Sequence, residues 1–151
     1  VSWRARLADL GVELPPVAAP IGSYVPASRS GSLVFTAGQL PVVGGEPLAT
    51  GKVGAEVSPE EAQQLAKVAA LNALAAIDNL VGLDAVVRVV KVVGFVASAE
   101  GFTGQPAVLN GASDFLGEVF GEAGVHARSA VGVSELPRGV PVEVELTVEV
   151  A

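Results

Sequence analysis

The chain has 151 residues, half of them apolar and 17% charged, with 16 Asp and Glu against nine Lys and Arg and a net charge of −7. That length suits a single domain with a real core. The basic residues are scattered and cannot neutralise several phosphates together, which argues against nucleic acid as a partner. The absence of cysteine excludes disulfides, thiolate catalysis and Cys-ligated zinc.

Methionine is also absent and aromatics are few, so Val, Ala and Leu must build the core. This is more apolar surface than one small core readily hides, and part of it is expected to be buried against other copies of the chain. No stretch approaches the roughly 18 uninterrupted apolar residues of a membrane span; Ala85 to Ala97 is interrupted by Arg88 and Lys91. The segment Val1 to Arg6 lacks the pattern of a signal peptide, so the expectation is a cytoplasmic protein without membrane contact.

Ser2 to Gly11 predicts a short helix, capped by Ser2, with Trp3, Leu7 and Leu10 on one face and Gly11 ending it. The proline-rich stretch Val12 to Pro20 must be extended. Residues 1–20 are thus a lead-in to a single domain spanning 1–151. Ile21 to Gln39 reads as a hairpin with strands at Tyr24-Val25 and Leu33 to Thr36 and a turn at Ser28 to Gly31. Gly38 closes it where a backbone or ligand could come close. Pro41 to Gly54, rich in Gly and Pro, reads as an exposed excursion.

The main helix follows. Ser58 caps it, Pro59 takes the first helical position, Glu61 completes a capping box, and Ala62, Leu65, Ala66, Ala69, Ala73, Ala76, Ile77 and Leu80 share a broad face up to Val81, before Gly82. Ala85 to Ser98 is β-branched and apolar on both sides, as in a central strand covered on both faces. Gln105 to Phe120 predicts a second helix with Val108, Phe115, Leu116, Val119 and Phe120 inward. The tail, His126 to Ala151, reads as two paired strands about a turn at Leu136 to Gly139. In the second, Val140, Val142, Val144, Leu146, Val148 and Val150 alternate with Glu143, Glu145, Thr147 and Glu149. The fold class is α+β: a four- to six-stranded mixed sheet, two helices on one face, and the other face bare.

Common catalytic arrangements are missing. His126 has no HExxH-like partner, and no GxSxG, Walker or GxGxxG frame occurs. What remains is Arg128, on a strand face shared with Ala130, Gly132 and Ser134, and the strand acids. Glu145 and Glu149 read as a solvated face, whereas Glu143 lies nearer the turn. A turn centred on Pro137-Arg138 would set Glu143 opposite Gly132 and Arg128 opposite Thr147. The two are then about 13 Å apart along the ladder, too far to pair but able to flank a small anion or to meet across a subunit boundary.

Ala127-Arg128-Ser129-Ala130-Val131, Leu136-Pro137 and Val142-Glu143-Val144-Glu145 resemble the C-terminal signature of the Rid proteins, the reactive-intermediate deaminases also called YjgF-like or endoribonuclease L-PSP. Gly22-Ser23-Tyr24-Val25, Phe35 to Pro41 and Asn110 resemble further family positions in the same order, so the likeness runs from about Ile21 to the end. The resemblance implies a chorismate-mutase-like fold, a homotrimer with clefts between subunits, and hydrolysis of 2-imino and 2-enamino acids to 2-keto acids and ammonia, without metal or cofactor. It implies that Arg128 holds the substrate carboxylate and Glu143 activates water, with Tyr24, Gly38, Asn110 and Ala130 lining the cleft. A trimer that binds small carboxylates without turnover, and an endoribonuclease, are the alternatives. Two positions depart from the family: His126 replaces a common proline and Ala130 a common cysteine. The lead-in and the excursion suggest a longer branch with a reshaped cleft.

Overall fold

Local sequence rules and helix ends coincide closely in the computed structural model, which describes residues 2–151. The Ser58 hydroxyl accepts from Glu61 N–H at the start of the long helix α2 (Pro59–Val81), Pro59 fills a position whose N–H needs no partner, and Gly82 ends the helix at positive φ. Helix α3 (Gln105–Phe120) has the predicted bounds and buries the predicted side chains. The short helix α1 (Trp3–Asp9) is capped by Ser2 and followed by Gly11 at positive φ. It is fastened rather than loose: Leu7 is buried, Trp3 Nε1 donates to the Val86 carbonyl, and the Trp3 ring meets Phe120 edge-on. Asp84 accepts from Arg4 N–H and from Ser2 Oγ, and the Arg4 backbone bond holds its carboxyl below the usual carboxylate range.

The sheet has five strands in the order β1-β2-β7-β5-β6: β1 (Ala27–Ser30), β2 (Leu33–Thr36), β5 (Val86–Ala97), β6 (Ala127–Val133) and β7 (Val142–Val150). A small ribbon, β3 (Val42–Val43) with β4 (Glu46–Pro47), stands apart. The sheet is mixed, because β5 and β6 run parallel while its other pairs are antiparallel. Helices α2 and α3 cover one face, and between them and the sheet lies a core of Val, Leu and Ala with Phe115 at its centre. The alanines of α2 let it sit close to what lies beneath; Gly111 of α3 does the same, since a Cβ there would overlap the Gln63 carbonyl.

Three expectations need correction. The closing strands do not pair with each other: the segment Ser134 to Pro141 steps over β5, which sits between β6 and β7. Strand β5, apolar on both sides, takes the interior place that the alternating β7 was not required to share with β6. In the first hairpin, Ser28 to Ser30 belong to β1 and Gly31 turns the chain at positive φ, while Tyr24 and Val25 lie outside any strand and are exposed. The excursion 41–54 is not wholly exposed either. Val42 and Val53 are buried, and the buried Asn72 of α2 donates to the carbonyls of Leu40 and Val42.

Candidate functional site

Register across β5, β6 and β7 places three of the predicted site residues, Arg128, Ala130 and Glu143, while Asn110 lies on α3 and Tyr24 and Gly38 lie outside the strands. Arg128 aligns with Val92 and Leu146, and Ala130 with Gly94 and Val144, so all six belong to the helix-covered face. Glu143 aligns with Phe95 and Val131 on the opposite, uncovered face. Two strand spacings and a three-residue offset put the Arg128 and Glu143 Cα atoms about 14 Å apart. Pointing to opposite faces, they cannot share a ligand within one chain.

Each belongs instead to its own cluster. Where β2 ends, Thr36 Oγ1 takes the Leu146 N–H, Ala37 and Gly38 swing away, and Gln39 rejoins β7 by two bonds to Val144. The detour makes room for Glu143; a Cβ at Gly38 would overlap its carboxylate. Beyond Gly38 opens a cavity of about 510 Å³ lined by Tyr24, Pro26, Gly38, Leu40, Arg138 and Glu143 among others. Ala18 to Pro20 of the lead-in, with Ile21, form one wall and Val42 and Gly45 of the ribbon another, so both segments shape this space. Tyr24 Oη accepts from Ile21 N–H and keeps its own hydrogen to donate. Burial raises the Glu143 carboxyl above its ordinary value, and repulsion from Glu145 adds to this.

The second cluster joins β6 to α3. Arg128 Nη1 donates to Asn110 Oδ1 at 2.8 Å and to Ser113 Oγ at 3.1 Å, and Nη2 to the Pro106 carbonyl at 3.2 Å. Three of the five guanidinium donors are thereby engaged. Nε–H and one Nη2–H remain, and Nε and Nη2 share the guanidinium edge that can fork onto a carboxylate. Asn110 therefore orients the arginine. His126 and Ser113 complete the cluster around a shallow cavity of about 310 Å³, with Nε2 2.9 Å from Ser113 Oγ. The other ring nitrogen faces the Gly124 carbonyl rather than a carboxylate, so no Ser-His-Asp arrangement forms.

Tyr24, Gly38 and Glu143 thus come together in one place, and Asn110, Arg128 and Ala130 in another. Arg138, Asn72 and Ser113 were missed in the sequence. Arg138 is the only non-glycine residue at positive φ among those described, and it donates to the Gly45 carbonyl beside the large cavity. Its place in a Pro-Arg-Gly turn was the available signal. Among the described residues no group of His, Asp and Glu could hold a metal ion, and no helix is long and apolar enough to cross a membrane.

This divided arrangement sits in a chain with clear relatives. Residues 4–148 match the family model described as YjgF/chorismate mutase-like, putative endoribonuclease. Protein TCP17 of Trypanosoma cruzi is 46% identical over 149 residues, covering 96% of this chain and 92% of that protein. A crystal structure from Shewanella oneidensis MR-1, described as a putative endoribonuclease, superposes with a TM-score of 0.95 at 34% identity, covering 99% of this chain and all of that one. Escherichia coli TdcF, solved with bound serine, has a TM-score of 0.65 at 28% identity, covering 91% of this chain and 94% of that one. Together with the fold, these matches establish that the chain belongs to the YjgF/chorismate mutase-like family.

Proposed function

We propose that the protein hydrolyses 2-imino and 2-enamino acids to 2-keto acids and ammonia in a cleft between subunits of a homotrimer, the assembly the Rid resemblance implies. The observation that carries this reading is the division of the site. A guanidinium with free donors and an acid of raised pKa in a cavity lie on opposite faces of one sheet, which supports a site that takes one from each of two copies. The uncovered sheet face supports association, because Phe35 and Val131 remain 44% and 45% exposed on it. The serine found in E. coli TdcF supports a small ligand with a carboxylate beside a nitrogen-bearing carbon.

The chemistry is brief. The substrate carboxylate forks onto Arg128 of one copy, which sets the imine carbon beside Glu143 of the next. Glu143, ionised, takes a proton from water as its oxygen bonds to the carbon. Glu143 passes that proton to the nitrogen, giving a neutral carbinolamine; it then takes the hydroxyl proton and hands it to the nitrogen as the C–N bond breaks, so that ammonia leaves a keto group. A carboxyl of raised pKa suits a role in which it is protonated and deprotonated in turn. Tyr24 lines the same cavity with a hydroxyl hydrogen still available to donate.

The test is release of ammonia and keto acid from imines made in situ by an amino-acid oxidase. Wild-type rates no faster than those of Arg128→Ala would sink the reading. Binding of a 2-keto acid, seen as a rise in melting temperature without turnover, would select a carboxylate-binding trimer. Cleavage of RNA that is lost in Arg128→Ala would select the endoribonuclease named in the family description; a net charge of −7 opposes that outcome.

A further inference from the structure

His126 is the only histidine of the chain, and both of its ring nitrogens are engaged. Nδ1 lies 2.6 Å from the Gly124 carbonyl oxygen, which can only accept, so Nδ1 carries the proton. In the neutral ring Nε2 then has a bare lone pair, and the Ser113 hydroxyl must donate to it. That turns the Ser113 hydrogen towards His126 and leaves the oxygen to accept from Arg128 Nη1. The hydrogen bonds therefore run in one direction, from guanidinium to hydroxyl to imidazole to backbone carbonyl.

We propose that Ser113 and His126 are positioning residues for Arg128, the neutral Nδ1–H form of His126 ordering the Ser113 hydroxyl and so fixing the guanidinium edge that meets a substrate carboxylate. The inference rests on the reading of Arg128 as the carboxylate holder. It gives a use to the histidine that stands at this position, half-buried against Ser113 of α3. Protonating the ring changes two things. Nε2 gains a hydrogen that competes for the Ser113 oxygen, and a positive charge appears within two hydrogen bonds of the guanidinium. The neighbouring charges do not absorb it: Asp114 and Glu118 of α3 and Glu122 of the turn before β6 are exposed and make no hydrogen bond to the ring among the described residues, and Lys91 of β5 aligns with Ala127, whose side chain faces the other way.

One histidine makes the test direct, since a long-range proton–nitrogen spectrum of labelled protein shows a single imidazole. In the neutral ring we expect Nδ1 protonated and Nε2 bare. The Nε–H signal of Arg128, assigned with Arg128→Lys, should differ between the neutral and the protonated ring, and should cease to follow the ring in Ser113→Ala. An Nε2–H tautomer, or an Arg128 signal indifferent to the ring, overturns the proposal, and neither result needs turnover. In kinetics, Ser113→Ala and His126→Phe should raise KM for an imino acid about tenfold while kcat changes less than about twofold. His126→Gln, whose amide oxygen can take the Ser113 hydrogen, should restore KM. Equal KM in wild type and all variants overturns the positioning role and leaves the deaminase reading intact. A wild type without turnover sinks that reading, and the spectra still decide the hydrogen-bond chain.

Discussion

Two donors left on one edge of a guanidinium are a geometric requirement as much as a charge. Arg128→Lys keeps the charge but loses the fork, and kcat/KM for an imino acid should fall about a hundredfold, measured by ammonia release. Glu143 makes a second prediction. Its raised pKa means that the native chain holds a proton the unfolded chain has already released between the ordinary and the raised value. This contribution to stability is complete below the ordinary carboxylate pKa and is lost as pH rises through the raised one. Glu143→Gln should remove that decline in urea unfolding series across acid pH, and should abolish turnover. Both residues were legible because a long cation among small neighbours and an acid near a turn stand out in a Val-rich tail. Their relation was not, because it depends on which strand lies between them. Ser113 and Asn72 gave no signal at all, since a serine or asparagine within a helix reads as a solvated position until its partner on another element is known.

Helix positions were legible nearly to the residue, for a local reason: Ser58, Pro59 and Gly82 act on backbone groups of their own helix. Strand partners were not, because pairing is decided by what the rest of the chain needs to bury. The tail reads as a hairpin on period and turn, yet Val86 to Ala97 has the stronger claim to the space between its strands. Close approach of α2 and α3 at Gly111 makes a prediction at this scale. Gly111→Ala places a methyl group against the Gln63 carbonyl and should cost about 1–3 kcal/mol in denaturant unfolding. It should also raise KM, because the neighbouring Asn110 orients Arg128. Docking of α1 carries its own pH dependence. Asp84, held below the usual range, stabilises the docked helix above the ordinary carboxylate pKa, and this is lost as pH falls through the lowered value. Exchange of the Trp3 indole N–H, bonded to Val86, should quicken on that acid side.

For the whole molecule, the bare sheet face was legible from the element order, since two helices can cover only one side of the sheet. What composition could not show is that the same face carries Glu143 while the covered face carries Arg128. A charge placed on the bare face, as in Phe35→Asp or Val131→Asp, should shift sedimentation toward the monomer and remove activity, with helicity unchanged by circular dichroism. The opposed faces also lead to a mixing experiment. Arg128→Ala and Glu143→Gln are each expected to be dead alone, yet a copy of one beside a copy of the other restores an intact pair at one junction. Random mixing in equal amounts should recover about a quarter of the wild-type activity, the chance that a junction receives both sound halves. On this proposal the protein has no working monomer, and its activity should follow an association equilibrium, so that simple dilution acts on it as an inhibitor would.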